Sequence, residues 1–298
     1  MWKYIAGTAG IGLSGLTISN YLNARHQKML NDKCETQCKD AWTSLHEKYP
    51  TKYSPKMIMC QIHDRKVSEY DKLFGDVDTH IDIGKAIGFN TFVKNESTKL
   101  TKDNVERADL VIFLKTYGGE LGAVKMITDT MKTFKQKHNG GCFVIVDDYA
   151  FSGGTIISLT ADEVMMDDYA CLSKIDPQMM GIPVRHLEHI KDNEECGVIA
   201  NIVSNMSNEA MGSVKDLAEQ HFKPHYDDTA FNNIIGKLIY SDMTHGHSFT
   251  KNECQQMGIK AIDIPENLSL VVKFNESTST DSTDLTIIED LTVTEETV

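Results

Sequence analysis

Cys142-Phe143-Val144-Ile145-Val146 runs directly into Asp147-Asp148-Tyr149-Ala150-Phe151-Ser152-Gly153-Gly154-Thr155, and the reading of this stretch decides the fold. Five consecutive apolar residues, mostly β-branched or aromatic, have the pattern of a strand buried on both faces. Gly153 to Ala161 reads as a short helix with small residues on its inner side, and Val164-Met165-Met166 as the next strand. A strand that passes through a glycine turn into a helix and then into another strand is a parallel βαβ unit.

The same grammar extends outward. Asp109-Leu110-Val111-Ile112-Phe113-Leu114 is a second buried strand, and Lys56-Met57-Ile58-Met59-Cys60-Gln61-Ile62-His63 an earlier one. After Gly118-Gly119, the residues Val124, Ile127, Met131 and Phe134 fall on one helical face, and Asn139-Gly140-Gly141 stops that helix. Ser204 to Phe222 forms another helix with Met211, Val214 and Leu217 in a stripe. The class is therefore α/β, with a mostly parallel sheet flanked by helices.

The ends differ from this body, which spans 56–270. Tyr4 to Ala24 carries no charge and has about the length a helix needs to cross a bilayer. Its many Gly, Ser and Thr residues leave a surface-lying helix or a cleaved signal as alternatives. Residues 1–24 are expected to be a single-pass membrane anchor. Arg25, His26 and Lys28 after it, against Lys3 before it, would keep the body on the cytoplasmic side. Residues 25–55 read as a polar helical spacer ending near Pro50, and 271–298 as a disordered acidic tail.

The formal net charge is −13, much of it from Glu276 to the end, where Glu276, Asp281, Asp284, Glu289, Asp290, Glu295 and Glu296 face no Lys or Arg. Such a balance argues against nucleic acid as a partner. The seven cysteines are scattered with no Cys-x-x-Cys pair, so they fit free thiols, and Cys34 and Cys38 read as helix neighbours. No metal site or cofactor is expected.

Two glycine pairs carry the chemistry. Tyr117-Gly118-Gly119 follows the Asp109 strand and Ser152-Gly153-Gly154 follows the Cys142 strand, so both fall at carboxyl ends of parallel strands, where α/β proteins place ligands. Glycine lets backbone N–H groups face an open cleft, and Ser152 just before a helix sits at the positive end of its dipole. An exposed hydroxyl with N–H donors nearby is what a serine hydrolase requires, together with a base.

Those turns bear a family resemblance. Lys115-Thr116-Tyr117-Gly118-Gly119 resembles the H-T-P-G-G turn of the serine dehydrogenase proteinases, relatives of signal peptide peptidase A and Clp protease. Tyr149-Ala150-Phe151-Ser152-Gly153-Gly154-Thr155 resembles their Y-A-M-S-G-G-T turn. Ala161-Asp162-Glu163-Val164-Met165-Met166 and Ile175-Asp176-Pro177-Gln178 resemble the two signatures that follow, and the likeness runs from Met57 to Leu270. It implies a Clp protease/crotonase-like fold, an N-terminal membrane segment, homo-oligomers and a peptide or membrane-protein substrate. It also implies Ser152 as nucleophile, with the N–H groups of Gly119 and Gly153 as the oxyanion hole. Two departures stand out: the family's Pro is Tyr117 here, and its preceding His is Lys115.

The base stays open. Clp protease carries a histidine about 25 residues past its serine, where this chain has Asp176-Pro177-Gln178. Signal peptide peptidases use a lysine instead, which must be buried for its pKa to fall. Lys215, near Met211 and Val214 on the Ser204 helix, is the first choice, with Lys191 and Lys174 as substitutes. His186 and His189, and His245 and His247, are the histidine pairs, read as surface residues. The readings are a membrane-associated serine peptidase first, an inactive scaffold with the same fold second, and an acyl-CoA enzyme third.

Overall fold

The computed structural model describes residues 36–63, 80–179, 182–187, 197–266 and 268. The expected membrane anchor, the tail, His189 and Lys191 lie outside these residues.

The centre is a five-stranded parallel sheet of β1 (Met57–His63), β2 (Asp109–Lys115), β3 (Cys142–Val146), β5 (Glu163–Met166) and β10 (Ala261–Asp263), in that spatial order. β2 pairs with β1 from Asp109 to Lys115 and with β3 from Leu110 to Phe113, so it is covered on both edges. Its residues from Asp109 to Leu114 are all buried. That agrees with the apolar run read from the sequence.

Helices lie on both faces. One layer holds α2 (Ile83–Lys102), α3 (Leu121–His138) and α4 (Gly153–Thr160), whose Phe89, Val124, Ile127, Met131 and Ile157 join Ile58, Cys60, Leu110, Ile112 and Val144 in the larger core. α3 ends where the sequence indicated: Asn139 takes a left-handed conformation at φ 48°. α2 escapes a sequence reading because its apolar positions are interrupted by Lys, Asn, Glu and Thr, and Glu96 and Ser97 are themselves buried in it.

The opposite face brings a correction. Residues 36–48 form helix α1, and it is part of the body, not a spacer. Cys38, Ala41, Trp42 and Leu45 bury against Met57, Met59, Val111, Phe113, Phe143 and Ile145. Trp42 meets Tyr53 and Phe143 edge-on at 5.2 Å each. The spacing 38, 41, 42, 45 is a helical stripe hidden in a polar composition, and it covers a sheet face that would otherwise be wet.

A smaller sheet stands beside the first. β4 (Tyr149–Ala150) pairs parallel with β6 (Cys171–Ser173), which pairs antiparallel with β9 (Ser248–Thr250). The remaining elements are the short strands β7 (Gln178–Met179) and β8 (Ile182–Pro183) and the helices α5 (Gly197–Leu217), α6 (Asp228–Leu238) and α7 (Lys251–Met257). α5 continues into a π-helical turn, Ala218–Phe222. Among the described residues, no helix is long and apolar enough to cross a membrane.

Candidate active site

The two glycine turns are zipped together. Thr116 N–H donates to Tyr149 O at 3.2 Å and Phe151 N–H to Thr116 O at 2.8 Å, so the loop after β2 runs alongside β4. Ile81 pairs with the first turn from the other side, its N–H bonding Gly118 O at 2.7 Å while Glu120 N–H bonds Ile81 O at 2.9 Å. Gly118 N–H is taken by Thr116 Oγ1 at 3.0 Å.

Ser152 is the strained residue in this arrangement. Its backbone sits at φ 49° and ψ −111°, a region that costs a non-glycine residue on the order of 1–3 kcal/mol and clusters at functional sites. Sharp strand-to-helix turns of this kind push a nucleophilic hydroxyl outward. The geometry is held from three sides. Ser152 N–H donates to Ser173 Oγ at 2.8 Å, Gly154 N–H to Phe151 O at 2.7 Å, and Gly118, at φ 106°, packs so closely that a Cβ there would lie 2.8 Å from that of Ser152. Only glycine fits that position.

The hydroxyl of Ser152 is half-buried, does not cap its helix, and has no hydrogen-bond partner among the described residues. The N–H groups of Gly119 and Gly153 likewise donate to no described residue. They are neighbours: a Cβ on Gly153 would lie 3.3 Å from Gly119 N. Two unspent backbone donors beside an unspent hydroxyl, at the first turn of α4, make a ready receptor for a developing oxyanion.

Aromatic rings line one side. Tyr117, half exposed, stacks on Tyr149 at 4.6 Å and approaches Phe151 at 6.1 Å. Lys115 bonds Asp148 at 2.8 Å and lies over the Tyr149 ring at 5.6 Å. The positive charge introduced by Lys115 is thus neutralised locally, and Asp148 serves that pair.

The candidates for the base are distributed differently from expectation. Lys215 is exposed on α5 and lacks the burial on which its choice rested. Among the described residues, Lys174 is the buried lysine. Its Nζ donates to Ser241 O at 2.6 Å and Met243 O at 3.0 Å and lies 3.7 Å from Asp176 Oδ2. Burial lowers its pKa, opposed by Asp176. His186 is exposed in the turn after β8, and His247 rests edge-on against Phe249 at 4.7 Å. His245 places Nδ1 2.8 Å from Oδ1 of Asp176, a carboxylate only 1% exposed. Burial alone would raise the Asp176 pKa, but the His245 hydrogen bond and the Lys174 charge outweigh it and hold the carboxyl below its ordinary value. Sequence reading missed this pair because its members are 69 residues apart.

A second serine–histidine contact lies elsewhere. Ser97 Oγ is 2.8 Å from His138 Nε2 and accepts from Lys137 Nζ at 2.9 Å. His138 closes α3, and its carbonyl receives the Ala108 N–H just before β2 begins, so the contact sits at the amino-terminal edge of the sheet. Ser97 is inside α2, where neighbouring N–H groups are committed to the helix ladder. This contact joins two helices.

The family of ClpP-like SDH-type serine proteinases matches residues 97–286, well over half of the chain and all of the Ser152 region. Two curated relatives from Methanocaldococcus jannaschii, the uncharacterized proteins MJ1495 and MJ0137, are 29% and 28% identical over 154 and 165 residues. Those matches cover 51% and 54% of this chain, and 51% and 55% of the relatives, so the chain spans about half the length of the curated relatives it matches. Among solved structures, a mutant of the 1510-N membrane-bound stomatin-specific protease aligns with 17% identity and a TM-score of 0.42, over 74% of this chain and 84% of that one. ClpP1 from Listeria monocytogenes aligns with 15% identity and a TM-score of 0.40, over 70% and 94%. These structural likenesses are slight and the assignment rests on the family match: the chain belongs to the ClpP-like SDH-type serine proteinases.

Proposed function

We propose that this protein is a membrane-associated serine peptidase in which Ser152 attacks a peptide carbonyl and the N–H groups of Gly119 and Gly153 hold the oxyanion. The observation that carries this reading is the strained Ser152 backbone beside two unspent N–H donors. Donors fixed before the reaction need no reorganisation as charge develops, and removing one such donor typically costs about 10²–10³ in rate.

The substrate class is a peptide or membrane protein. A structure of the same stomatin-specific protease holds a substrate peptide. The exposed Tyr117 face beside Ser152 suits an apolar side chain of such a peptide. Membrane association, with the body on the cytoplasmic side, rests on the uncharged Tyr4 to Ala24 segment and the basic residues after it. Assembly with further copies is supported by an apolar stripe on α5, where Val198, Ile199, Ile202 and Met206 are exposed.

A fluorophosphonate probe tests the reading: the detergent-solubilised full chain should be labelled and Ser152→Ala should not. Absence of labelling in the unaltered chain would favour the inactive scaffold instead.

A further inference from the structure

We propose that the outer face of helices α2 and α3 docks this chain's own acidic tail, with Leu285-Thr286-Ile287-Ile288 on Ile83 and Ile87 and the acids that follow on the lysines beyond.

The face is an exception on an acidic chain. α2 and α3 together carry eight lysines against Glu96 and Asp129, and those two acids are already paired with Lys99 and Lys125. The helices run side by side in the same direction. At their amino ends Ile83 Cδ1 lies 3.8 Å from where a Cβ on Gly122 would be, and toward their carboxyl ends Ser97 meets His138 at 2.8 Å. Their lysines therefore share one side of the molecule. Lys94, Lys102 and Lys132 are exposed and have no ion-pair partner among the described residues. Like charges gathered in this way repel one another, and an acidic ligand relieves that repulsion.

The same face is apolar at one end. Ile83 and Ile87 are 41% and 52% exposed, one helical turn apart on α2, and the small residues Gly84 and Gly122 leave space between them and the first turn of α3. Lys94 and Lys102 follow Ile87 along the helix. At about 1.5 Å per residue they stand about 10 Å and about 22 Å beyond it. The tail repeats this order with acids in place of lysines: Asp290 comes three residues after Ile287, and Glu295 seven after Ile288. An extended segment rises about 3.3 Å per residue, which sets those acids about 10 Å and about 23 Å past the apolar pulse. Apolar meets apolar and acid meets base at matching intervals.

The other exposed apolar stripe does not fit this segment. On α5, Val198, Ile199, Ile202 and Met206 are flanked by Asn201, Asn205 and Glu209, and no lysine occurs before Lys215. Reach also permits the α2 site. Seventeen residues separate Leu268 from Leu285, a span of up to about 60 Å against a diameter of about 40 Å for a compact body of about 200 residues. A tether of that length holds the segment at an effective concentration of the order of millimolar, so a weak contact is enough.

The position has a consequence for the cleft, which rests on the serine-peptidase reading. Ile81, two residues before Ile83, is hydrogen-bonded to the Gly118-Gly119-Glu120 turn, and Gly118 packs on Ser152. A tail seated on Ile83 therefore stands beside the mouth of the cleft and competes with incoming peptide.

Carbodiimide coupling of the detergent-solubilised full chain joins carboxylates to amines in contact, and mass spectrometry of the digest identifies the pairs. Coupling of Glu289, Asp290 or Glu295 to Lys94, Lys102 or Lys132 is expected at about 0.05 M salt and should disappear at about 1 M, where the screening length is about 3 Å. The combined variant Leu285→Ser, Ile287→Ser, Ile288→Ser keeps every carboxylate and amine, yet should lower that coupling by about tenfold or more. It should also lower KM for peptides by about threefold or more, since the competitor is released. Coupling scattered over lysines outside α2 and α3, or unchanged in the combined variant, would overturn the docking. Coupling between an isotope-labelled chain and an unlabelled one would give the face to a second copy's tail. Protection of Lys94 and Lys132 from acetylation only when phosphatidylglycerol is added would give it to an anionic membrane. Either result overturns the contact within one chain. Coupling lost with KM unaltered would overturn the competition alone, and coupling present in a chain that no fluorophosphonate labels would sink the peptidase reading while the docking stands.

Discussion

Ser97 and Ser152 are both serines held in tightly packed surroundings, and only one of them looks like a nucleophile. Ser97 has the histidine: its hydroxyl is 2.8 Å from His138 Nε2, with Lys137 also in reach. Among the described residues Ser152 has no such contact, yet it has the backbone. Its turn is strained, its hydroxyl is unspent, and the donors of Gly119 and Gly153 stand next to it. Acyl transfer depends on charge stabilisation at the carbonyl oxygen as much as on the base, and a residue inside a helix cannot offer it because neighbouring N–H groups are already bonded. A serine–histidine hydrogen bond by itself is therefore poor evidence of catalysis.

Substitution at the two serines should separate them most widely. Ser152→Ala is expected to lower peptide hydrolysis by about 10⁴-fold or more and to abolish probe labelling, while Ser97→Ala keeps labelling at the unaltered rate. Equal loss in both, measured at a temperature well below the melting transition of either variant, would erase the contrast. Gly118→Ala comes next. Its Cβ would lie 2.8 Å from that of Ser152 and 2.9 Å from Gly153 N, displacing nucleophile and donor together, for a loss of about 10²-fold in kcat/KM with the far-ultraviolet circular dichroism unchanged.

At the other serine, the effect should be on stability. Ser97→Ala leaves His138 Nε2 without its partner in a buried site and should cost about 1–3 kcal/mol in urea unfolding. Acid should weaken the helices that carry this contact. Burial lowers the pKa of His138, His221 and His225. The unfolded chain, with histidines near about 6.5, binds more protons than the folded one as pH falls through that value, so stability present above it is lost toward the lower folded values. Melting temperatures recorded between pH 7.5 and 5, a range of about two and a half pH units around that ordinary value, should fall, and a flat profile would remove the argument. Least affected should be Tyr117→Ala, which removes the exposed ring of the aromatic face. A loss of about 0.5–1.5 kcal/mol of apolar contact corresponds to a rise in KM of up to about tenfold on peptides with an aromatic residue, and no change on small esters.

Much of this contrast was open to inspection before any coordinates. The strands at Asp109 and Cys142 are runs buried on both faces, so composition alone marks them, and the Ser152 turn stands out because two glycine pairs, each common as a steric turn, fall together at the carboxyl ends of such strands. α1 and α2 were harder to read. Trp42 and Cys38 sit among charged neighbours, and Glu96 and Ser97 are polar residues buried by tertiary contacts.

By itself, the sequence determined the α/β alternation and the two glycine turns and marked Ser152 as the candidate, because all are set by neighbours within a few residues. The tertiary structure decided which lysine is buried, that residues 36–48 cover the sheet, and that Asp176 meets His245 across 69 residues of chain. Those outcomes depend on how β6 and β9 pair and on where burial strips water from charge. Neither is encoded in local spacing.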